Sequence, residues 1–492
     1  MRWRNTIAAG LVFVALLAWV LTNERRRVPE KEEVFGIDAA QASALTIQRK
    51  DEEPIALEKR GEDWFITQPF TGLASNDEAD RLVKQIAELV PRSSREGLDL
   101  ASEDFGLQDA ELVATLTYGA KQASVHVGAE TPLGNERYAK VSGARRSGGD
   151  ARLYVVSASL RTSLWKDPKE LREKKLARFE TDDVQQITLD HGETHVVAVR
   201  RATTDQPSEE TKWGLTAPLA TNADEWNVKK LINDVRDLRA EGFLEEAKTD
   251  AELGLDKPQA VVTLTLGEGH TLTINFGKAD EVEVGEPPTA KQIIYARTSE
   301  RDEVLLLNAD ALDKVRKTAF DLRDKSVLRL ARDDVQRIVV ERRQDLSFTV
   351  ARRPDGWFVE KPKAFAAQES KINDMLWDLE DLSAVKFVAE EADQAELREY
   401  GLAVPQVAIT IHLKGAEPLR VLIGNKTEDG NYYAKTGASD QVVEISQFLM
   451  NDLPSKVEEL EKTEPDFDQQ FPQDFGTMPE GTPPPIIGNI DQ

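Results

Sequence analysis

Apolar and polar residues alternate in short runs along this chain and then change to a helical period, and the same change occurs three times. "VQQITLD" from Val184 and "VQRIVVE" from Val335 carry apolar, largely β-branched residues at alternate positions, which predicts half-buried strands. A second strand and a tryptophan-bearing strand follow, "WFITQP" from Trp64, "WGLTAP" from Trp213 and "WFVEKP" from Trp357. The proline five residues after each tryptophan stops that strand where no amide donor is needed. An amphipathic helix is expected next. In the first copy Ser75 or Asn76 caps it and Ala79, Leu82, Val83, Ile86, Leu89 and Val90 share one face. Val228, Leu231, Ile232, Val235 and Leu238 form the second such face; Ile372, Met375, Leu376, Leu379 and Leu382 form the third. Paired alternating runs around a glycine-bearing turn then predict a hairpin, as in "AVVTLTLGEGHTLTINFG", and two further short strands complete a sheet.

These runs are copies of one another. "FGLQDA" at Phe105, "LGLDKP" at Leu253 and "YGLAVP" at Tyr400 each precede a later glycine, Gly128, Gly277 or Gly424, at spacings of 22, 23 and 23 residues from the Gly-Leu glycine. "YAK" at Tyr138, "YAR" at Tyr295 and "YAK" at Tyr433 keep the order. The joints repeat without a gap: "ELREKKLARFETDDVQQITLD" from Glu170 matches "DLRDKSVLRLARDDVQRIVVE" from Asp321. So many ordered matches establish three tandem modules. The expected organisation is an anchor and linker over 1–34, modules over 35–178, 179–329 and 330–463, and an acidic, proline-rich tail over 464–492 expected to be disordered. The fold class is α+β: each module is a mainly antiparallel sheet with one or two packed helices, and a second helix, "ALDKVRKTAFDL", links the second copy to the third.

Composition narrows the function. A net charge of −25 repels phosphate backbones, so nucleic acid is not an expected partner. The chain has no cysteine, which excludes disulfides, thiolate metal sites and a cysteine nucleophile. "IAAGLVFVALLAWVLT", residues 7–22, is uncharged and spans about 24 Å as a helix, so it is expected to be a membrane anchor, helped by Trp3 and flanking arginines. No small-x-small cleavage site follows it. Basic residues flank it on both sides almost evenly; the short N-terminal tail ahead of a long folded region favours an N-in orientation, with the modules outside the cytoplasm.

Taken together, Trp-x4-Pro, Gly-Leu-x2-Pro, the later glycine, Tyr-Ala-Lys/Arg and the "LR(E/D)K" joint resemble the bacterial family called domain of unknown function 4340, over residues 36–462, with "GLQDA" in the first copy departing from the pattern. The resemblance implies a membrane-anchored extracytoplasmic protein, some relatives accompanying ABC-type transport systems linked to gliding motility. It implies no catalytic or ligand residue.

No catalytic, cofactor-binding or metal-ligating residue is assigned. His191 and His195 have helical zinc spacing, but Gly192 puts a turn between them. His126, His270 and His412 sit in the hairpins without a third ligand, and the pairs Asp182-Asp183 and Asp333-Asp334 recur in the joints as turns or caps. No EF-hand loop, nucleophile elbow, phosphate loop or dinucleotide fingerprint occurs. The residues that repeat are those of cores and turns, so function is expected where the copies differ or in grooves between them. The expectation is a non-enzymatic, inner-membrane, single-pass binding or scaffold protein with an envelope protein partner, an ABC-type transporter among the candidates. The alternatives are an envelope hydrolase with an inter-module cleft and an anchor protein facing the cytoplasm.

Overall fold

The computed structural model describes residues 32–462 apart from 133, 147, 202–211, 286–287, 344–346 and 438; the expected membrane segment 7–22 and the tail from 464 lie outside them. No helix among the described residues is long and apolar enough to cross a membrane. The chain divides into two compact units, residues up to 220 with 225–319, and 221–224 with 320–492.

Three nine-stranded antiparallel sheets are present, all with one strand order. In the first they are β1 (Ala42–Arg49), β2 (Ile55–Arg60), β3 (Asp63–Gln68), β4 (Gly72–Leu73), β5 (Ser93–Arg95), β6 (Leu112–Tyr118), β7 (Lys121–Glu130), β8 (Glu136–Ser142) and β9 (Leu153–Ser157). The order across the sheet is β4-β3-β2-β1-β6-β7-β8-β9-β5. The helix Asn76–Ala87 joins β4 at one edge to β5 at the other, so it crosses the whole sheet and buries its apolar face there. Both edge strands are only two or three residues long, which limits edge-to-edge pairing with other chains.

Ser75 caps this helix, accepting from the Glu78 N–H at 3.5 Å, while Asn76 accepts from the Trp64 N–H at 2.9 Å. The equivalent helices Glu225–Arg236 and Glu369–Glu380 bury the expected faces. One detail differs. Leu89, Leu238 and Leu382 read as face residues, yet each is buried beyond its helix end. Their carbonyls serve another purpose, described below.

The tryptophans share one environment. Trp64, Trp213 and Trp357 are at most 2% exposed. Each lies opposite a basic residue, Lys59, Arg200 or Arg352, whose charge sits 5.6, 5.4 or 5.6 Å over the ring. Burying such a ring removes about 200 Å² from water, on the order of 5 kcal/mol of transfer free energy per copy.

The glycine spacing has a physical cause. Gly106, Gly254 and Gly401 are left-handed, with φ of 61°, 69° and 70°, and the leucine after each is buried. The later glycine lies under the carbonyl of the residue before the first: a Cβ on Gly128, Gly277 or Gly424 would sit 2.2, 2.2 or 2.1 Å from the oxygen of Phe105, Leu253 or Tyr400. The hairpin ladder slips at the same place in each sheet, so these glycines occupy β-bulges.

The linking helix expected over "ALDKVRKTAFDL" is two shorter ones, Ala311–Val315 and Ala319–Leu322. Arg316 leaves the helical region at ψ 68°, and the Lys317 carbonyl contacts the His191 ring at 3.0 Å in place of a helical partner.

Candidate functional site

The joints are built from backbone. As the chain leaves a module it passes the segment ahead of that module's helix: the Ser75, Asp224 and Gln368 N–H groups donate to the carbonyls of Leu171, Leu322 and Leu460 at 2.8, 2.8 and 2.7 Å. Arg172, Arg323 and Glu461 follow as equivalent bridge residues, opposite Ala74, Ala223 and Ala367. Four residues on, the joint docks onto the next sheet. Leu176 and Val327 donate to the carbonyls of Leu238 and Leu382 at 2.9 and 2.8 Å, and Ala240 and Ala384 donate back to Lys174 and Lys325. The leucine at the helix end is therefore a docking post. Val34 fills this slot in the first module, donating to Leu89 at 2.8 Å.

The joint arginines do the side-chain work. Arg172, 6% exposed, stacks 3.7 Å over Phe243 and 5.0 Å over Phe70, and bonds Glu245 at 3.0 Å and Glu303 at 2.7 Å. Arg323, 5% exposed, stacks 3.6 Å over Phe387 and forks onto Glu390 at 2.5 and 2.7 Å. The Arg323 hydrogen bonds hold the Glu390 carboxyl below its ordinary range. A planar fork that stacks and pairs at once is a task lysine cannot perform. Sequence reading found these arginines within "LR(E/D)K" but assigned them no role. The signal for their partners was "GFLEEA" from Gly242 against "KFVAEEA" from Lys386.

Beside Arg172 lies a groove of about 970 Å³ between the first and second sheets. The β2–β3 turn, the joint and the turn at Ser299–Glu300 wall it. Arg178 pairs with Asp63 at 2.9 Å, and Arg301 donates to the Glu173 and Lys175 carbonyls at 3.1 and 3.3 Å. Gly72 opens room here, since a Cβ would meet the Glu303 carboxylate at 2.8 Å. The walls mix both charge signs, which suits a polar, multiply charged ligand surface and no single small ion. His270 is the one candidate histidine among the groove residues; its Nε2 is 3.2 Å from Glu300. Ser299 Oγ accepts from the Thr273 N–H at 3.0 Å, and no hydroxyl is bonded to the His270 ring among the described residues. A nucleophile-base pair is thus not assembled there.

The other candidates are dispersed. His191 faces Thr194, and His195 faces Asp190, across one hairpin; adjacent pairs point to opposite faces, so the rings do not converge. His195 Nδ1 instead meets Asp190 at 2.6 Å. His126 is held below its ordinary range by burial and by Lys140. His412 lies on its strand opposite Arg337. Asp182-Asp183 and Asp333-Asp334 form single 3-10 turns, Thr181–Asp183 and Arg332–Asp334. Among the described residues no group of three or more His, Cys, Asp or Glu could hold a metal.

The copies diverge at the Tyr-Ala motif. Tyr138 packs on Phe105 at 5.0 Å and Tyr433 on Tyr400 at 4.7 Å. The second copy has Leu253 at that position, and Tyr295, fully buried, donates instead to Asp280 at 2.9 Å. Burial, then the Asp280 bond and charge, push Tyr295 up to about 12. Its folded pKa exceeds the ordinary value near 10, so its contribution to stability is complete below pH ~10 and is lost as pH rises toward 12. Urea midpoints measured from pH 9 to 12 should fall less steeply for Tyr295→Phe than for the native chain, with phenolate absorbance reporting the late titration.

Comparison with known proteins adds a family and no activity. No curated protein matches the chain significantly. Among solved structures, a DNA polymerase III beta subunit sliding clamp from Pseudomonas aeruginosa bound to griselimycin is 10% identical, covering 84% of this chain and 93% of that one at a TM-score of 0.10. A similar match is a DNA polymerase III beta subunit from Eubacterium rectale: 8% identical, coverage 83% and 92%, TM-score 0.11. Scores this low carry no argument about fold or function. The matched family segments, 64–250, 213–360 and 357–465, begin at Trp64, Trp213 and Trp357, the ring that anchors each sheet, and the chain belongs to the family described as "Domain of unknown function (DUF4340)".

Proposed function

We propose that this chain is a membrane-anchored binding or scaffold protein. Residues 7–22 cross the inner membrane once, N-in, and the three modules stand outside the cytoplasm, offering a surface to an envelope protein partner such as an ABC-type transport complex. The observation that carries the reading is the joint: Arg172 and Arg323 fix the second and third modules to the segments before them, while the residues shared by all copies fill interiors. Rigid, repeated sheets with interior-only repetition suit extended surface contact better than a reaction centre. Val34 docks into the first sheet, so residues 23–33 reach at most about 40 Å from the end of the apolar run, which keeps that sheet close to the bilayer.

Two measurements test this. Alkaline phosphatase fused after residue 462 should be active, and a fluorescent-protein fusion that matures only in the cytoplasm should be dark; the reverse pattern would place the modules inside. Crosslinking in intact cells, with Glu62→Cys in the groove as the attachment point, should capture a discrete envelope protein. Recovery of this chain alone would remove the support for a scaffold role.

A further inference from the structure

We infer that the β5 edge of the first sheet is a docking surface for an anionic phospholipid bilayer. This rests on the anchored reading proposed above. In the second and third sheets the corresponding edge carries Phe243, opposite Leu305, and Phe387, opposite Val443, each covered by a joint arginine. In the first sheet that register position, opposite Tyr154, is Ser94, with Arg95 next to it opposite Leu153, and all three residues of β5 are exposed. Arg92, Arg95 and Arg145 are exposed and carry no ion pair among the described residues. Arg145 extends over Gly36, and its N–H donates to the Val34 carbonyl at 2.9 Å, while Val34 itself docks on Leu89, three residues before Arg92.

The acidic groups of this edge are already engaged. Arg152 takes Glu96, Arg146 lies 3.9 Å from Glu32, and Asp150 accepts the Gly143 and Ala144 N–H groups at 3.1 and 2.9 Å. Asp99 accepts from the Ala101 N–H at 3.0 Å, Glu88 lies 3.8 Å from Lys84, and Glu33 is exposed. Leu98, 40% exposed, adds an apolar side chain just past β5. Unpaired arginines beside an exposed leucine, on a chain of net charge −25, gather anionic headgroups locally while the remaining surface is repelled. The interaction acts within about 8 Å at physiological salt, so it requires this edge to face the bilayer.

The absence of cysteine makes the test direct. The full chain bearing Ser94→Cys, labelled with a fluorophore, is placed in nanodiscs containing headgroup spin-labelled lipid in a phosphatidylglycerol or a phosphatidylcholine background. Glu53→Cys, in the β1–β2 turn, is the reference, about 24 Å away across five strands at ~4.8 Å each. Quenching at Ser94 should exceed that at Glu53 by about threefold in phosphatidylglycerol discs, and about 0.5 M salt should abolish the excess. Arg92→Glu with Arg95→Glu should abolish it too, and the salt and lipid comparisons stand without those variants. Equal quenching at both positions, or indifference to lipid charge, in chains that remain with the discs overturns the docking surface alone. Chains that do not remain with the discs overturn the anchored reading, and this inference with it.

Discussion

Gly277→Ala is expected to lower the stability of the second sheet by about 3 kcal/mol, because its single added methyl would lie 2.2 Å from the Leu253 carbonyl oxygen and 3.2 Å from Leu255. Neither neighbour can yield cheaply. The carbonyl belongs to the residue before left-handed Gly254, and that turn places buried Leu255. Relief therefore requires opening the bulge and losing ladder hydrogen bonds between the strands Thr271–Val284 and Thr289–Thr298. In a unit of this size the change corresponds to a drop of roughly 6–12 °C in Tm. Gly267→Ala, ten residues earlier, meets nothing within 4 Å and should stay within about 0.5 kcal/mol of the native chain. Gly128→Ala and Gly424→Ala repeat the collision in the other sheets, at 2.2 and 2.1 Å. Urea unfolding followed by tryptophan fluorescence can localise each effect, since each sheet buries its own Trp64, Trp213 or Trp357. A Gly277→Ala midpoint matching that of Gly267→Ala would show that the spacing has another cause.

The glycines show what was legible in the sequence and what was not. Their regular spacing was visible, and so was the hairpin that carries them, because both are local patterns. The reason for the spacing was not, since a carbonyl beneath a bulge is a contact between segments more than twenty residues apart. Strand alternation and helical faces likewise followed from periodicity, and the buried Trp-Pro strand from its repetition. Helix ends were less readable: Leu89, Leu238 and Leu382 continue the apolar period past the last helical turn, and only the docked Val34, Leu176 and Val327 explain why they sit outside it. The linking helix was read too long for a comparable reason, a tertiary claim on the Lys317 carbonyl. Of the groove, sequence reading supplied only its expected place between copies. Arg60, Glu173 and Arg301 are far apart along the chain and unremarkable in composition, so nothing local marks them as neighbours.

The joint arginine was the most visible unexplained residue, and removing it should have the second large effect. Arg172→Ala takes away the partner of Glu303, whose carboxylate is 20% exposed, and uncovers Phe243. Breaking such a pair from one side leaves a poorly solvated charge, so a loss of about 3 kcal/mol is expected in the coupling of the first sheet to the second. Glu245, 56% exposed, regains water and adds little. Arg172→Lys should recover only part, because an ammonium cannot stack on Phe243 while reaching two carboxylates. Arg172→Met combined with Glu303→Gln should be milder than Arg172→Ala, since both charges leave together and the stacked surface is retained. The strand ladders of the two sheets do not involve Arg172, so the joint should loosen without the sheets themselves unfolding. Amide hydrogen exchange separates the two effects: Lys174–Leu176 and Ala240–Phe243 should lose protection in Arg172→Ala, while the β1–β6 ladder keeps it. Unchanged protection at the joint would mean that the backbone alone couples the modules, and the recurrence of arginine at positions 172 and 323 would then need a reason other than cohesion.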